Sequence, residues 1–468
     1  MNRIAILTAG GDTPALNATL FGAVAAANAR GVTVVGLIKG FSSLFNPRVP
    51  HLVLNPLFST IPELDPALGG TILGASRDYV DHADAAAVKL LAERLDRLKV
   101  GGLVCVGGDG TLNAMQALSD HLPTVLAPKT IDNDLGLNYP GEPDEWNRLG
   151  PATGDQPAQG VEKGGHWYAR RTSVAKFRPD RMVNYVTPGY ATAVYVAATG
   201  VQRVRTTAES HRRIAIVECM GRHSGYIALG AMYGQPDILL VPESRLDVDA
   251  LVQRATEIYD LQKHCVIVCG EGAVGTDGRE LGDEHASTDP AGNKLLTGAS
   301  ESLRAILIQR LGDTYFTSKR RNESARAAVF TRKIGHIQRG GRPIAFDRFH
   351  AAQLGGHAVE LLLQGKANAV STLQYSTAKG FTVGDVFAND FRDQWGHIHA
   401  RQLHPDCYDP AGLRPSQTGI DYLLPIFTNA LGADDLEALR TDLFDEGHLS
   451  MPYHSVNTDV GKRIRYLD

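Results

Sequence analysis

No G-x-x-x-x-G-K-[ST] loop occurs in the chain, and no G-x-G-x-x-G follows its first apolar run. An ordinary P-loop enzyme and a dinucleotide-binding dehydrogenase are thereby set aside, because each needs its glycine pattern to bring backbone N–H groups onto phosphates. Long apolar runs are missing too: none approaches the roughly 18 to 20 residues that cross a bilayer, so no membrane partner is expected. Neither sign of charge dominates. With 47 basic against 51 acidic residues and a formal net charge of -4, there is no broad basic field that would track nucleic acid, and any anion must be bound locally. Cysteine is scarce: of five, Cys105, Cys219, Cys265 and Cys269 lie in or beside apolar runs, the pattern of buried thiols in a reducing cytosol. The amino terminus passes from Met1-Asn2-Arg3 straight into Ile4 to Leu7, a first strand rather than a signal peptide, and a cytoplasmic location is expected.

What is present is a βα alternation in a chain of 468 residues, long enough for two or more packed domains. Ile4 to Leu7, Val32 to Ile38, Leu103 to Val106 and Thr124 to Ala127 read as buried strands, with a helix from Asn17 to Arg30 between the first two. That rhythm predicts a parallel sheet covered on both faces. It resumes after position 187, with Thr192 to Glu209 as helix and Arg213 to Glu218, Ile238 to Val241 and Val266 to Val268 as strands. Two α/β domains facing a cleft follow. Between Leu135 and Val186, and again from Gly272 to Asn293, glycine and proline break the pattern. After about Gly365 the alternation is lost and the remainder reads as an appended layer.

Three strands of the first domain end in turns that contain aspartate: Gly10-Gly11-Asp12, Gly107-Gly108-Asp109-Gly110-Thr111, and Pro128-Lys129-Thr130-Ile131-Asp132-Asn133-Asp134. Ligands of open parallel sheets bind at the carboxyl ends of strands, so the three turns are expected to share one crevice. Paired glycines let backbone N–H groups approach phosphate oxygens, and a helix starting after them offers its positive end to the same anion. Asp12 or Asp109 could then hold a divalent cation among those oxygens. Asp132 and Asp134, two positions apart, point from one face if the segment is extended; one can take a proton from an attacking hydroxyl while the other positions metal or substrate. Plain βα connections and an Asx turn are the alternatives.

The order of GGDTPALN (10 to 17), GGTILGASR (69 to 77), GGDGT (107 to 111), PKTIDND (128 to 134), RTTAESH (205 to 211), MGRHSG (220 to 225) and GHIQRGGRPIAFDR (335 to 348) resembles the 6-phosphofructokinase family over residues 1 to about 365. GGDG alone is also seen in NAD kinases and diacylglycerol kinases; the set is specific. The resemblance implies two Rossmann-like three-layer α/β domains with parallel sheets: a donor-binding domain (1–134 and 337–365), an irregular insertion near the active site (135–186), a sugar-phosphate-binding domain (187–336) and a C-terminal extension (366–468). It implies transfer of a phosphoryl group from ATP with Mg2+ to the 1-hydroxyl of fructose 6-phosphate, in a homo-oligomer, dimer or tetramer. Asp132 would be the general base, with Thr130 and Asp134 beside it. Gly11, Arg77 and Arg222 would stabilise the transferring group, Asp109 would bind magnesium, and Gly108, Gly110, Thr111 and Asn113 would line the donor site. Met220, Gly221, Glu271, His336 and Arg339 would hold the sugar, while Arg213 would reach a neighbouring subunit's sugar phosphate.

Two positions bear on the donor. An acidic side chain in place of Gly110 would crowd the α-phosphate of ATP, and pyrophosphate-using relatives typically carry one; Lys129 is a cation common in pyrophosphate users and in one ATP-using branch. Steric access favours ATP over pyrophosphate. The chain departs from the family at Phe330, six positions before His336, where an arginine usually grips the sugar phosphate. Arg326 and Arg332 are near, and the insertion, which carries Arg170, Arg171, Lys176, Arg178 and Arg181, is expected either to fold over the sugar site and supply a replacement cation, for the same or another acidic sugar, or to lie as a solvated loop. His397, His399, His404 and Asp393 match no compact zinc spacing and read as surface residues. A kinase for another ketose phosphate, and a catalytically silent sugar-phosphate sensor, remain as alternatives.

Overall fold

The computed structural model describes residues 1–153, 157, 160–171, 175–282, 287–288, 294–295, 298–319 and 324–467. Its larger sheet has seven strands, in spatial order Gly380–Phe387, Ala369–Ser376, Thr124–Pro128, Leu103–Gly107, Arg3–Thr8, Thr33–Leu37 and His51–Val53. The five central strands are parallel, and the two edge strands run antiparallel to their neighbours. A second sheet of four parallel strands is ordered Ile238–Leu240, Cys265–Gly270, Ile214–Cys219, Val329–Lys333.

Apolar side chains on both faces force this arrangement. Along the first strand Ala5 and Leu7 enter one core while Ile4 and Ile6 enter the other, and Ala215 and Val217 are separated from Ile214 and Ile216 in the same way. Helix Leu16–Ala29 covers one face of the larger sheet together with Ala345–Leu363, to which the chain returns after completing the second sheet. Helix Tyr190–His211 buries Tyr190, Ala193, Val194, Ala197 and Val201 against the second sheet. All five cysteines are buried and free. No helix of the described residues is long and apolar enough to cross a membrane.

Two stretches differ from the expectation. The breaker-rich insertion contains a three-stranded antiparallel sheet, ordered Trp146–Pro151, His166–Arg170, Val161–Lys163. Gly164 and Gly165, both at positive φ, form the tight turn of its hairpin, so glycines that break a helix here close a ribbon. The first part of the stretch past 365 is not an outer layer: Ala369–Ser376 and Gly380–Phe387 extend the larger sheet, and helix Gln417–Phe427 sends Tyr422, Leu423 and Ile426 into the core that holds Tyr185, Tyr190 and Tyr226. Of the irregular stretch 272–293, residues 283–286 and 289–293 lie outside the described residues.

Candidate active site

Because Arg3–Thr8, Leu103–Gly107 and Thr124–Pro128 are adjacent and parallel, the turns that follow them emerge side by side, about 5 Å apart. Lys129 lies buried among them and donates through Nζ to the Gly11 carbonyl. Burial, and next the Arg339 guanidinium, pull its pKa down to about 8 against the attraction of Asp12, Asp134 and Asp132. Asp132 has its Oδ1 shut off from solvent with no hydrogen-bond partner among the described residues. Burial raises its pKa, opposed by Arg339 and Lys129 and reinforced by Asp109. Partial burial likewise raises Asp12, opposed first by Lys129. The three aspartate turns therefore share one cleft.

Within the third turn Thr130 Oγ1 donates to Asp134 Oδ1 at 2.8 Å and accepts from the Asp132 amide at 3.2 Å. Burial and then the charges of Asp132 and Asp109 push the Asp134 carboxyl up. The segment is not extended. Asn133 takes a left-handed φ of 56°, so Asp132 and Asp134 are set by a tight turn and not by strand alternation. Asp109 opens helix Asp109–Leu118 and its Oδ1 accepts from the Gly110 amide at 2.7 Å. No atom stands within 4 Å of where a Cβ on Gly110 would be. Gly108 caps this helix, whose buried Thr111 follows, and its positive end faces the cleft. Asn113, expected at the donor, accepts from Arg392 Nη2 at 2.8 Å. Arg77 is exposed at the cleft rim, next to Ser76, whose carbonyl accepts from the Gly10 amide at 2.9 Å.

The facing wall comes from the second sheet. The Met220 amide donates to Gln338 Oε1 at 3.0 Å, tying the MGRHSG turn to the helical turn Gly335–Arg339 that carries His336 and Arg339. Gly221 has φ 110°, and a Cβ there would stand 2.6 Å from the Ser224 carbonyl oxygen, so only glycine makes this turn. Arg339 crosses the cleft: its Nη1 is 2.9 Å from where a Cβ on Gly11 would be. Burial, then the charge of Asp132, raises the Glu271 carboxyl to about 7, with Arg339 opposing. Arg222 has a buried Nε without a hydrogen-bond partner among the described residues, and its Nη2 lies 3.9 Å from Glu280. Arg213 is elsewhere, at the opposite end of strand Ile214–Cys219, about 20 Å from Met220.

Several residues carried no expectation. His223 has a side chain 44% exposed, with Nδ1 3.6 Å from Glu280 Oε1; desolvation, then Arg222, then Lys163 lower its pKa, with Asp109 opposing. Lys163 thus brings the tip of the insertion to the donor side; it sits in no motif. Arg170 and Arg171 of the insertion are held within the insertion and not over the sugar site. Arg170 is paired with Glu142 at 2.8 Å and Glu145 at 3.3 Å, and Arg171 donates to Asn147 at 3.1 Å, so both hold the insertion itself together. At the Phe330 position the Arg332 guanidinium lies 5.2 Å from the ring centroid, folded back along the same strand face. His399 and His404 are buried, contrary to the surface reading. His399 stacks on Trp146 at 3.9 Å and bonds Asp393 at 2.8 Å, while His404 pairs with the Ala175 carbonyl at 2.8 Å.

Two parallel α/β units facing a cleft with a helix N-terminus, a buried lysine, two arginines and clustered carboxylates form an arrangement suited to phosphoryl transfer. The chain belongs to the phosphofructokinase family, whose family model matches residues 3–138 and 180–362. It is 32% identical over 388 residues, covering 82% of this chain and 94% of the relative, to the ATP-dependent 6-phosphofructokinase 3 of Streptomyces coelicolor. It is 31% identical over 369 residues, 78% of this chain and 88% of the relative, to the pyrophosphate–fructose 6-phosphate 1-phosphotransferase of the same organism. Its fold matches the crystal structure of a pyrophosphate-dependent phosphofructokinase from Marinobacter aquaeolei with a TM-score of 0.66 at 17% identity, over 92% of each chain.

Proposed function

We propose that the chain transfers the γ-phosphoryl group of ATP to the 1-hydroxyl of fructose 6-phosphate. The observation that carries this reading is the buried, unpartnered Oδ1 of Asp132, set between Lys129, Arg339 and Asp109. A carboxylate so placed lacks only a hydroxyl to accept from. The sugar O1–H gives its proton to Asp132 as O1 bonds to the γ-phosphorus, the bridging P–O bond breaks, and ADP leaves with that electron pair. Thr130 and Asp134 hold the turn around the base. The Gly11 amide, Arg77, Arg222 and Lys129 face the charge that spreads over the transferring oxygens. Gly108, Gly110, Thr111 and, from behind, Asn113 shape the donor site. Met220, Gly221, Glu271, His336 and Arg339 hold the sugar, and Arg213, remote from its own cleft, serves a neighbouring subunit of a dimer or tetramer.

Mg2+ fits this donor set. Among the described residues no group of three His, Cys, Asp or Glu forms a protein-only metal cage. Asp109 instead offers a hard oxygen beside an open space, which suits an ion shared with phosphates and water. When bound, the ion neutralises phosphate charge.

The open space at Gly110 supports ATP. Lys129 favours a second reading, pyrophosphate as donor, because its cation stands against Gly11 where a short anion needs charge. A glycolytic role places the enzyme in the cytoplasm. Coupled turnover with ATP or pyrophosphate against a panel of sugar phosphates tests all of this. ATP with fructose 6-phosphate is expected to give the highest kcat/KM; failure of every donor with retained sugar-phosphate binding would make the protein a sensor.

A further inference from the structure

The catalytic turn is held from behind by the part of the chain past residue 365. Arg401 is buried at 2% exposure and has no carboxylate within hydrogen-bonding range among the described residues. Its guanidinium is spent on backbone carbonyls: Nε and Nη2 donate to Asn133 O at 2.9 and 2.7 Å, Nη1 to Asn184 O, and Nη2 to Tyr185 O at 3.5 Å. The face of the cation rests 5.0 Å over the Tyr226 ring. The Arg401 amide also donates to Asp134 O at 2.6 Å. The other side of the same residue is gripped as well, since Asn133 Nδ2 donates to Tyr422 Oη at 2.7 Å and Tyr422 Oη donates to Tyr185 O at 2.9 Å.

Burying a guanidinium costs several kcal/mol unless its donors are satisfied, and replacing such a group by apolar side chains is often neutral or stabilising. Stability alone gives little reason to keep it. What Arg401 uniquely does is bridge two segments with a planar fork, which a lysine ammonium cannot. Asn133 occupies the left-handed region, which asparagine tolerates better than other non-glycine residues, and it directly follows Asp132. Its φ therefore decides where the Asp132 carboxylate is aimed. We propose that Arg401 and Tyr422 are positioning residues for phosphoryl transfer, so that the C-terminal extension completes the catalytic turn. The proposal rests on Asp132 being the base.

The test compares Arg401→Ala, Arg401→Lys, Tyr422→Phe and Asp132→Asn in the full chain. An aiming error near 1 Å costs on the order of 100-fold. Arg401→Ala is thus expected to lower kcat by about that factor, with the donor Kd changed less than about threefold, the acid limb of the kcat profile displaced, and part of the rate restored by added guanidinium ion. Arg401→Lys restores less than half of the loss, and Tyr422→Phe lowers kcat by roughly fivefold, the size of one lost hydrogen bond. A folded Arg401→Ala protein with a lower melting temperature but an unchanged kcat and pH profile overturns the proposal. If that variant does not fold, an unchanged kcat in Tyr422→Phe overturns it. An active Asp132→Asn protein sinks the base assignment instead, which separates the two failures.

Discussion

Substituting Gly11 by alanine probes how the two walls of the cleft meet. Gly11 is not in the left-handed region, so its backbone accepts alanine without strain. The added methyl would stand 2.9 Å from Arg339 Nη1 and 3.6 Å from Arg339 Cζ. Ordinary contact begins near 3.5 Å, so the guanidinium must retreat by about 0.6 Å. Folding should hardly register this, because only the far end of a flexible side chain moves. Turnover should, because the same guanidinium faces Asp132 and Glu271. A displacement of that size in a charge-stabilising group costs roughly 30- to 100-fold, or about 2 to 2.7 kcal/mol of barrier. The assay is a double-mutant cycle in kcat/KM for fructose 6-phosphate, with melting temperature as the control. In the Arg339→Ala background the clash disappears, so Gly11→Ala should then cost little. Equal losses with and without Arg339 would refute the reasoning, since the methyl would be acting on something other than the guanidinium.

Gly110→Asp fills the open space beside the donor with negative charge and is expected to raise the pyrophosphate-to-ATP ratio of kcat/KM by about tenfold, one like-charge contact of about 1.4 kcal/mol; an unchanged ratio counts against donor choice by access. The pH profile has a sign fixed by Lys129. With its pKa lowered to about 8, its proton is present below that pH and lost above it, so kcat/KM for the donor falls through about pH 8, and Lys129→Met removes that limb along with most of the rate. Persistence of the limb in Lys129→Met would assign it to another group. Arg332→Ala is expected to raise the KM for fructose 6-phosphate about tenfold with kcat intact, because the cation over Phe330 stands in for the missing arginine; an unchanged KM removes Arg332 from the sugar site.

Much of the cleft was readable along the chain because its chemistry is local. A glycine pair before an aspartate needs nothing but its own turn and the next helix to present amides and a carboxylate, and the apolar strands before Gly10, Gly107 and Pro128 place those turns at one edge. Long-range pairing leaves no such mark. Arg170 looks like a mobile cation in the sequence and becomes a structural one only because Glu142 and Glu145 close on it. His399 and His404 have a surface composition around them and are buried by Trp146 and Phe177, which lie more than two hundred residues earlier in the chain.

By itself, then, the sequence determined the two parallel α/β units and the three aspartate-bearing turns that meet at one cleft, since hydrophobic runs and turn glycines act over a few residues. Only the tertiary structure decided that Arg339 reaches Gly11 and that Arg401 and Tyr422 hold Asn133 in place. Those contacts join residues up to about three hundred positions apart, and which partner satisfies a buried donor depends on how the sheets pack and not on any spacing along the chain.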